Sequence, residues 1–309
     1  PAKMKIFTWK GERDTIMKPK DSILYYKHFL QTGMMAMEPQ TGHVKAWVGG
    51  INYKYFQYDH VGQGARQVGS TFKPFVYATA IDRLGKSPCD MIMDSPFTIL
   101  KGDNNDKDWT PNNSDGKFRG LVSMKKALAN SINTVSARLI HEVGAPAVVE
   151  MTKNLGVTSD IPNRPAIALG AVEITVEEMV AAFSTFANEG VYIKPQLITR
   201  IEDKNGVVIY QGVEESHDVV NKDVAYSIIK LMEGVTESGT GSRLRWAASA
   251  PSNFLTGVPY NIKGPVAGKT GTSHNNSDGW FIGMVPNLAA GVWVGNEDRS
   301  AHFESTSMG

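Results

Sequence analysis

A chain of 309 residues, 41% hydrophobic and 20% charged, describes a soluble globular protein with apolar content for one large core or two ordinary ones. Its 32 basic and 31 acidic residues nearly cancel, so charge points neither to nucleic acid nor to an anionic membrane. The single cysteine, Cys89, excludes an intrachain disulfide and a thiolate metal cluster, and the seven scattered histidines form no His-x-x-x-His pair for zinc.

No run of about 18 apolar residues occurs, and Pro1-Ala2-Lys3-Met4-Lys5-Ile6 is not a signal peptide. Without an initiating methionine, the chain reads as an excised piece of something longer. Residues 1–20 are mixed and polar, which suggests a linker or an edge strand. Asp21-Ser22 opens a short helical stretch through Leu30. From Gly33, the apolar runs 34–37 and 44–48 flank Pro39-Gln40-Thr41-Gly42, the pattern of a hairpin. The aromatic-polar stretch 53–60, with Gly62 and Gly64, forms a loop into the next helix.

That helix opens with Gly69-Ser70-Thr71-Phe72-Lys73-Pro74. A serine and a lysine three residues apart share one helix face, with Cβ atoms about 5–6 Å apart. An amine within reach of a hydroxyl makes a nucleophile with its own base. Pro74 is tolerated only in a first turn, so Ser70 sits at the helix start, over the positive end of the dipole. The helix is apolar almost all round (Phe72, Phe75, Val76, Ala78, Ile81), hence buried, and a lysine rooted there has a lowered pKa.

Residues 95–120 are rich in Asp, Asn, Gly and Pro and read as loop. Within them, Trp109-Thr110-Pro111-Asn112 either lines a groove or anchors the loop. Ser123 caps a helix to about Ala129, Ser131-Ile132-Asn133 interrupts it, and helices follow to about Val143 and over 145–155. Thr175-Val176-Glu177-Glu178 is a capping box before the apolar face of Met179, Ala182, Phe183 and Phe186, with Gly190 as the stop. A hairpin turns at Lys204-Asn205-Gly206 between 196–202 and 207–211. Asn221 starts an amphipathic helix to about Val235. Strands return over 266–272, 279–285 and 289–295, and Trp280 and Trp293 are core residues on them.

Three stretches carry chemistry: Ser70-Thr71-Phe72-Lys73, Ser131-Ile132-Asn133 about 60 residues on, and Lys269-Thr270-Gly271-Thr272. Alone, Ser131 would be a helix-breaking or back-bonding serine, and Asn133 a cap. Together and in this order the three resemble the active site of penicillin-binding proteins and serine β-lactamases. Gly42-His43-Val44-Lys45-Ala46-Trp47-Val48-Gly49-Gly50, Arg66-Gln67-Val68-Gly69, Asp278-Gly279-Trp280-Phe281-Ile282-Gly283 and Val292-Trp293-Val294-Gly295 extend the resemblance. They are similar to the transpeptidase domain of class A, bifunctional penicillin-binding proteins, over nearly the whole chain from about residue 22.

Residue type and that resemblance imply the roles. Ser70 is the nucleophile, and Lys73 takes its proton. Ser131 relays the proton to the leaving amine, and the Asn133 amide holds the substrate backbone. Lys269 supplies fixed positive charge, Thr270 and Thr272 bind the substrate carboxylate, and Gly271 keeps a side chain out of the ligand's way. The family implies an oxyanion hole from the backbone N–H groups of Ser70 and Thr272.

Two look-alikes fail. Residues 264–270 fall one residue short of a phosphate-binding loop, and turn residues follow where a helix should start. Glu150 resembles the water-activating glutamate of class A β-lactamases, but it follows Ser131 too closely and lies on a solvated helix face. Acyl-enzyme hydrolysis should therefore be slow.

The fold expected is α/β (α+β), an antiparallel sheet from N- and C-terminal strands covered by helices, with a mainly helical insert. Residues 1–21 form a linker or edge segment and 22–309 the domain, with a sheet subdomain of about 22–95 and 240–309 and a helical one of about 96–239. The expected activity is serine D,D-transpeptidation of peptidoglycan stem peptides, blocked by β-lactams and needing no cofactor or metal. Alternatives are a D,D-carboxypeptidase or weak β-lactamase, and a β-lactam-binding sensor or scaffold without turnover. The implied partners are stem peptides, β-lactams and other cell-wall synthesis proteins. Location would be extracytoplasmic, at the periplasmic face of the inner membrane, through an upstream anchor that, like the glycosyltransferase domain, this sequence lacks. The resemblance also implies a terminal helix after the last strand, which is expected to be missing here.

Overall fold

A computed structural model describes residues 1–102, 105–245 and 260–304. Ala2–Thr8 (β1) and Gly11–Met17 (β2) pair antiparallel along their whole length, from Ala2↔Met17 to Thr8↔Gly11. A closed hairpin therefore stands where the sequence suggests a linker or single edge strand. Its anchor is not local: Ile6 and Phe7 are buried, and Phe7 packs edge-on against Phe29 and Phe56 from two later segments. Pro19–Lys27 (α1) follows, with Pro19 in the first turn ahead of Asp21.

Gln31–Met37 (β3) and Val44–Val48 (β4) make the expected hairpin. A 3₁₀ turn over Gly69–Phe72 runs into Lys73–Leu84 (α2), which stops at Gly85 in the left-handed conformation, φ 64°. Every residue from Lys73 to Ile81 is buried, as the all-round apolar pattern requires. Met91–Asp94 (β5) pairs with Gly120–Ser123 (β6), closing off a segment that reads only as loop.

Ser123 caps Met124–Ala129 (α3), its Oγ accepting from Lys126 N. Asn133–Val143 (α4), Ala145–Asn154 (α5), Val176–Ala187 (α6) and Lys222–Glu237 (α7) follow. The Thr175/Glu178 box is complete on α6, and Asn221 Oδ1 accepts from Val224 N on α7. The Asn205-Gly206 turn joins Arg200–Glu202 to Val208–Gln211. Its first strand is shorter than 196–202 because Gln196 instead bonds the backbone of Gly42 and Val44.

Ala267–Thr272 (β7), Asp278–Val285 (β8) and Leu288–Gly295 (β9) complete an antiparallel sheet of order β7-β8-β9-β3-β4. The two ends of the chain meet where β9 pairs with β3, at Trp293↔Gly33. Helix α6 packs on β3 and β9, α7 on β7 and α3, and α2 lies between α4 and α7. This is the mixed α/β architecture expected, with β7 at the sheet edge beside the start of α2. Trp280 and Trp293 are buried in its core.

Parts of the expected loop 95–120 and sheet segment 240–309 (residues 103, 104, 246–259 and 305–309) lie outside the described residues, and so does the chain end at Gly309. Among the described residues, no helix is long and apolar enough to cross a membrane.

Candidate active site

Two glycines set the nucleophile turn against the sheet. Gly69 takes φ +52°, and a Cβ there would meet Thr272 O at 2.3 Å. A Cβ on Gly271 would meet Val68 O at 2.6 Å and the Thr71 methyl at 2.8 Å. Gly271 thus clears room for the Ser70 turn; the expectation that it clears room for ligand is corrected, because its missing side chain would point into the protein. The result is a cleft of about 850 Å³ walled by Ser70, Ser131, Asn133, Thr270, Gly271 and Thr272, among others. Both residues expected to supply oxyanion-hole N–H groups, Ser70 and Thr272, lie on it.

Two lysines with no exposed surface, Lys73 and Lys269, lie behind the cleft wall and reach it at Ser131. Lys73 Nζ lies 2.6 Å from Ser131 O, 2.7 Å from Asn133 Oδ1 and 3.1 Å from Ser131 Oγ. Lys269 Nζ donates to Ser131 Oγ at 3.0 Å and to Thr270 O at 3.0 Å. Ser131 is therefore shared between both amines. It reaches them by adopting φ 55°, rare for a residue with a side chain and costing on the order of 1 kcal/mol or more. Backbone bonds from Ser131 N to Leu128 O (3.0 Å) and Ile132 N to Ala127 O (2.9 Å) hold that turn.

Burial, and then the neighbouring Lys269, pull the Lys73 ammonium well below its ordinary range. Burial alone pulls Lys269 down to about 7. Its charge is thus titratable near neutrality, where the sequence suggests a fixed one. A neutral Lys73 has two N–H donors and one lone pair. Ser131 O and Asn133 Oδ1 are acceptors only and take the two donors. The lone pair is left for a hydroxyl. Ser131 Oγ, 3.1 Å away, is the hydroxyl that meets it here, and no hydrogen bond joins Ser70 Oγ to Lys73 among the described residues.

Asn133 lines the cleft, with its Oδ1 on Lys73 and one of its two Nδ2 hydrogens on Asn112 O at 2.7 Å. Thr270 Oγ1 lies 2.5 Å from Thr240 Oγ1. Thr240 was missed in the sequence; it follows α7 in a Ser-Gly-Thr-Gly run that carries only a turn signal. Trp109 is half-buried against the core and bridges to Ile99, which makes it a loop anchor. Glu150 is exposed on α5 and bonds Arg83 at 3.3 Å, at the end of α2 away from Ser70. Residues 264–270 enter strand β7 and have no helix behind them.

Known proteins resemble the chain over most of its length. The model of the penicillin binding protein transpeptidase domain matches residues 32–302, and that of the penicillin-binding protein middle domain matches residues 1–30. Penicillin-binding protein 1A of Neisseria flavescens is 32% identical over 93% of the chain, and that of Aquifex aeolicus 34% identical over 88%. The chain spans about a third of these curated relatives, 34% and 35% of their lengths. Its fold is similar to a crystal structure of penicillin-binding protein 1A from Haemophilus influenzae, with TM-score 0.78 and 24% identity, covering 88% of this chain and 44% of that one. It is also similar to PonA1 from Mycobacterium tuberculosis in complex with penicillin V, with TM-score 0.74 and 24% identity, covering 93% of this chain and 76% of that one. A serine turn, a strained Ser131 and a lysine-bearing edge strand thus sit in a chain that belongs to the penicillin-binding protein transpeptidase family.

Proposed function

We propose that the chain is a serine D,D-transpeptidase that cross-links peptidoglycan stem peptides through an acyl-enzyme on Ser70. The observation that carries this is the cage of Lys73, whose two carbonyl acceptors leave one lone pair for a hydroxyl. Ser70 Oγ gives its proton to that lone pair and attacks the carbonyl of the penultimate D-alanine. Backbone N–H groups of Ser70 and Thr272 receive the oxyanion, a contribution of about 10²–10³ in rate per donor. As the carbon–nitrogen bond breaks, the terminal D-alanine amine takes the proton from Lys73 through Ser131 Oγ. An acceptor amine from a second stem then attacks the acyl carbon. Its proton returns by Lys73 to Ser70 Oγ, and the new amide leaves the cycle balanced. In its charged form Lys269, with Thr270 and Thr272, attracts the substrate carboxylate.

A β-lactam presents a strained amide and a carboxylate to the same groups and acylates Ser70, as fits a relative solved with penicillin V. Glu150 faces solvent away from the cleft, so no general base is assigned to water and the acyl-enzyme is long-lived. The catalytic unit is residues 22–309, its cleft lying between the sheet and helical subdomains. Its substrate places it outside the cytoplasm.

The test is incubation with a stem pentapeptide and an amine acceptor, following free D-alanine and the joined product. Both products forming together support the proposal. D-alanine release without joining would favour a carboxypeptidase, and acylation without any peptide product would favour a sensor.

A further inference from the structure

The start of α4 has no cap of its own, since Ile132, at the capping position, offers no polar side chain. A residue from the loop 20 positions earlier does the work. Asn113 Oδ1 accepts from Asn133 N at 2.9 Å and from Thr134 N at 3.3 Å. An amide can turn either end toward the helix, and only the oxygen caps. What fixes the end is on its far side: Asn113 Nδ2 donates to Asp94 Oδ1 at 2.7 Å and Lys117 O at 2.8 Å.

Asp94 has no exposed surface and is fully occupied. It also accepts from Thr134 Oγ1 at 2.6 Å, Arg119 N at 3.0 Å and Arg119 Nη1 at 3.4 Å. Burial alone would raise this carboxyl, but the bonds from Thr134, Asn113 and Arg119 outweigh it and keep the group ionised. The neighbouring Asn112 O holds Asn133 Nδ2. One loop therefore grips Asn133 by its backbone N–H and by its amide, and turns Oδ1 toward Lys73.

We propose that Asp94 and Asn113 are positioning residues for acylation, acting through Asn133 on the orientation of the Lys73 amine. This rests on the transpeptidase reading above. Neither residue lines the cleft, so the rate constant for acylation, k2, should fall while the Kd of the initial β-lactam complex stays the same.

The experiment is stopped-flow acylation by a penicillin on wild type, Asn113→Asp and the exchange variant Asn113→Asp/Asp94→Asn. The single variant sets two carboxylates together and loses both Nδ2 donors. Loss of one buried hydrogen-bonded link corresponds to a fall in k2 of about 10–100-fold. The exchange variant restores one of the two bonds, with the carboxylate now capping α4 and the amide at 94 donating to it, while the bond to Lys117 O stays lost. It should regain k2 part of the way, to several-fold above the single variant, with Kd unchanged throughout. A folded Asn113→Asp that acylates at the wild-type rate, or an exchange variant as slow as the single one, would overturn the proposal. Should Asn113→Asp not fold, Asp94→Asn reads the same coupling, and an unchanged k2 there overturns it too. A folded wild type that is not acylated overturns the transpeptidase reading, and this proposal with it.

Discussion

The two lysines behind the cleft wall and the loop that carries Asn113 bury charge in opposite ways. Lys73 and Lys269 are fully buried, and no carboxylate appears among the influences on either. Asp94, just as buried, is bonded to Asn113, Thr134 and Arg119. Asp278 is similar, accepting from Arg66 Nε at 2.8 Å, Trp293 Nε1 at 2.9 Å and Ser273 Oγ at 2.5 Å. A buried charge with its full set of partners is scaffold. A buried amine denied a counter-ion is driven toward its neutral form and becomes a base. Chemistry here sits where the burial of charge is left uncompensated.

The sharpest way to break the comparison is Lys73→Met, which keeps the volume and removes the base. Acylation should fall by about 10²–10⁴-fold. Stability should rise, because a lysine with a depressed folded pKa binds fewer protons folded than unfolded. Wild-type stability therefore increases with pH between the folded and unfolded pKa values, and the variant should lose the share of that slope due to Lys73, keeping that of Lys269. Thermal melts at about pH 6 and about pH 9 measure both effects. A Lys73→Met protein less stable than wild type at both would contradict the unpaired-amine account.

Asp94→Ala should do the reverse to the fold. It strands buried donors on Asn113 and Thr134, and denaturant titration should show a loss of about 2–4 kcal/mol. Gly271→Ala comes next: its Cβ meets Val68 O at 2.6 Å, so β7 must move off the Ser70 turn. We expect a loss of roughly tenfold or more in acylation with the fold retained, checked by rate and by circular dichroism.

The smallest effect is in the pH profile. Acylation should rise as the depressed Lys73 loses its proton, then decline as Lys269 loses its charge at about 7 and above. Lys269→Arg keeps its charge at every accessible pH, so the alkaline limb alone should flatten. An alkaline limb that persists in this variant would assign it to another group.

Much of the site was legible because its parts are short and local. Ser70 and Lys73, Ser131 and Asn133, and Lys269 through Thr272 each sit within four residues. The capping box at Thr175 and the alternating strands 266–295 are equally local. What escaped is held together over distance. The β1–β2 hairpin depends on Phe29 and Phe56, which residues 1–20 do not contain. Asp94 and Asn113 lie 19 residues apart, in stretches whose Asp, Asn and Gly content signals only loop. Thr240 meets Thr270 from 30 positions away. Gly271 was found, but the direction of its missing Cβ depends on a neighbouring turn that spacing does not reveal.

The central claim is that Ser70 is the nucleophile served by the caged Lys73. Intact mass after incubation with a penicillin, on wild type and on Ser70→Ala, tests it most directly. The account predicts one adduct on the wild type and none on the variant. An equal adduct on Ser70→Ala, or none on a folded wild type, would contradict it.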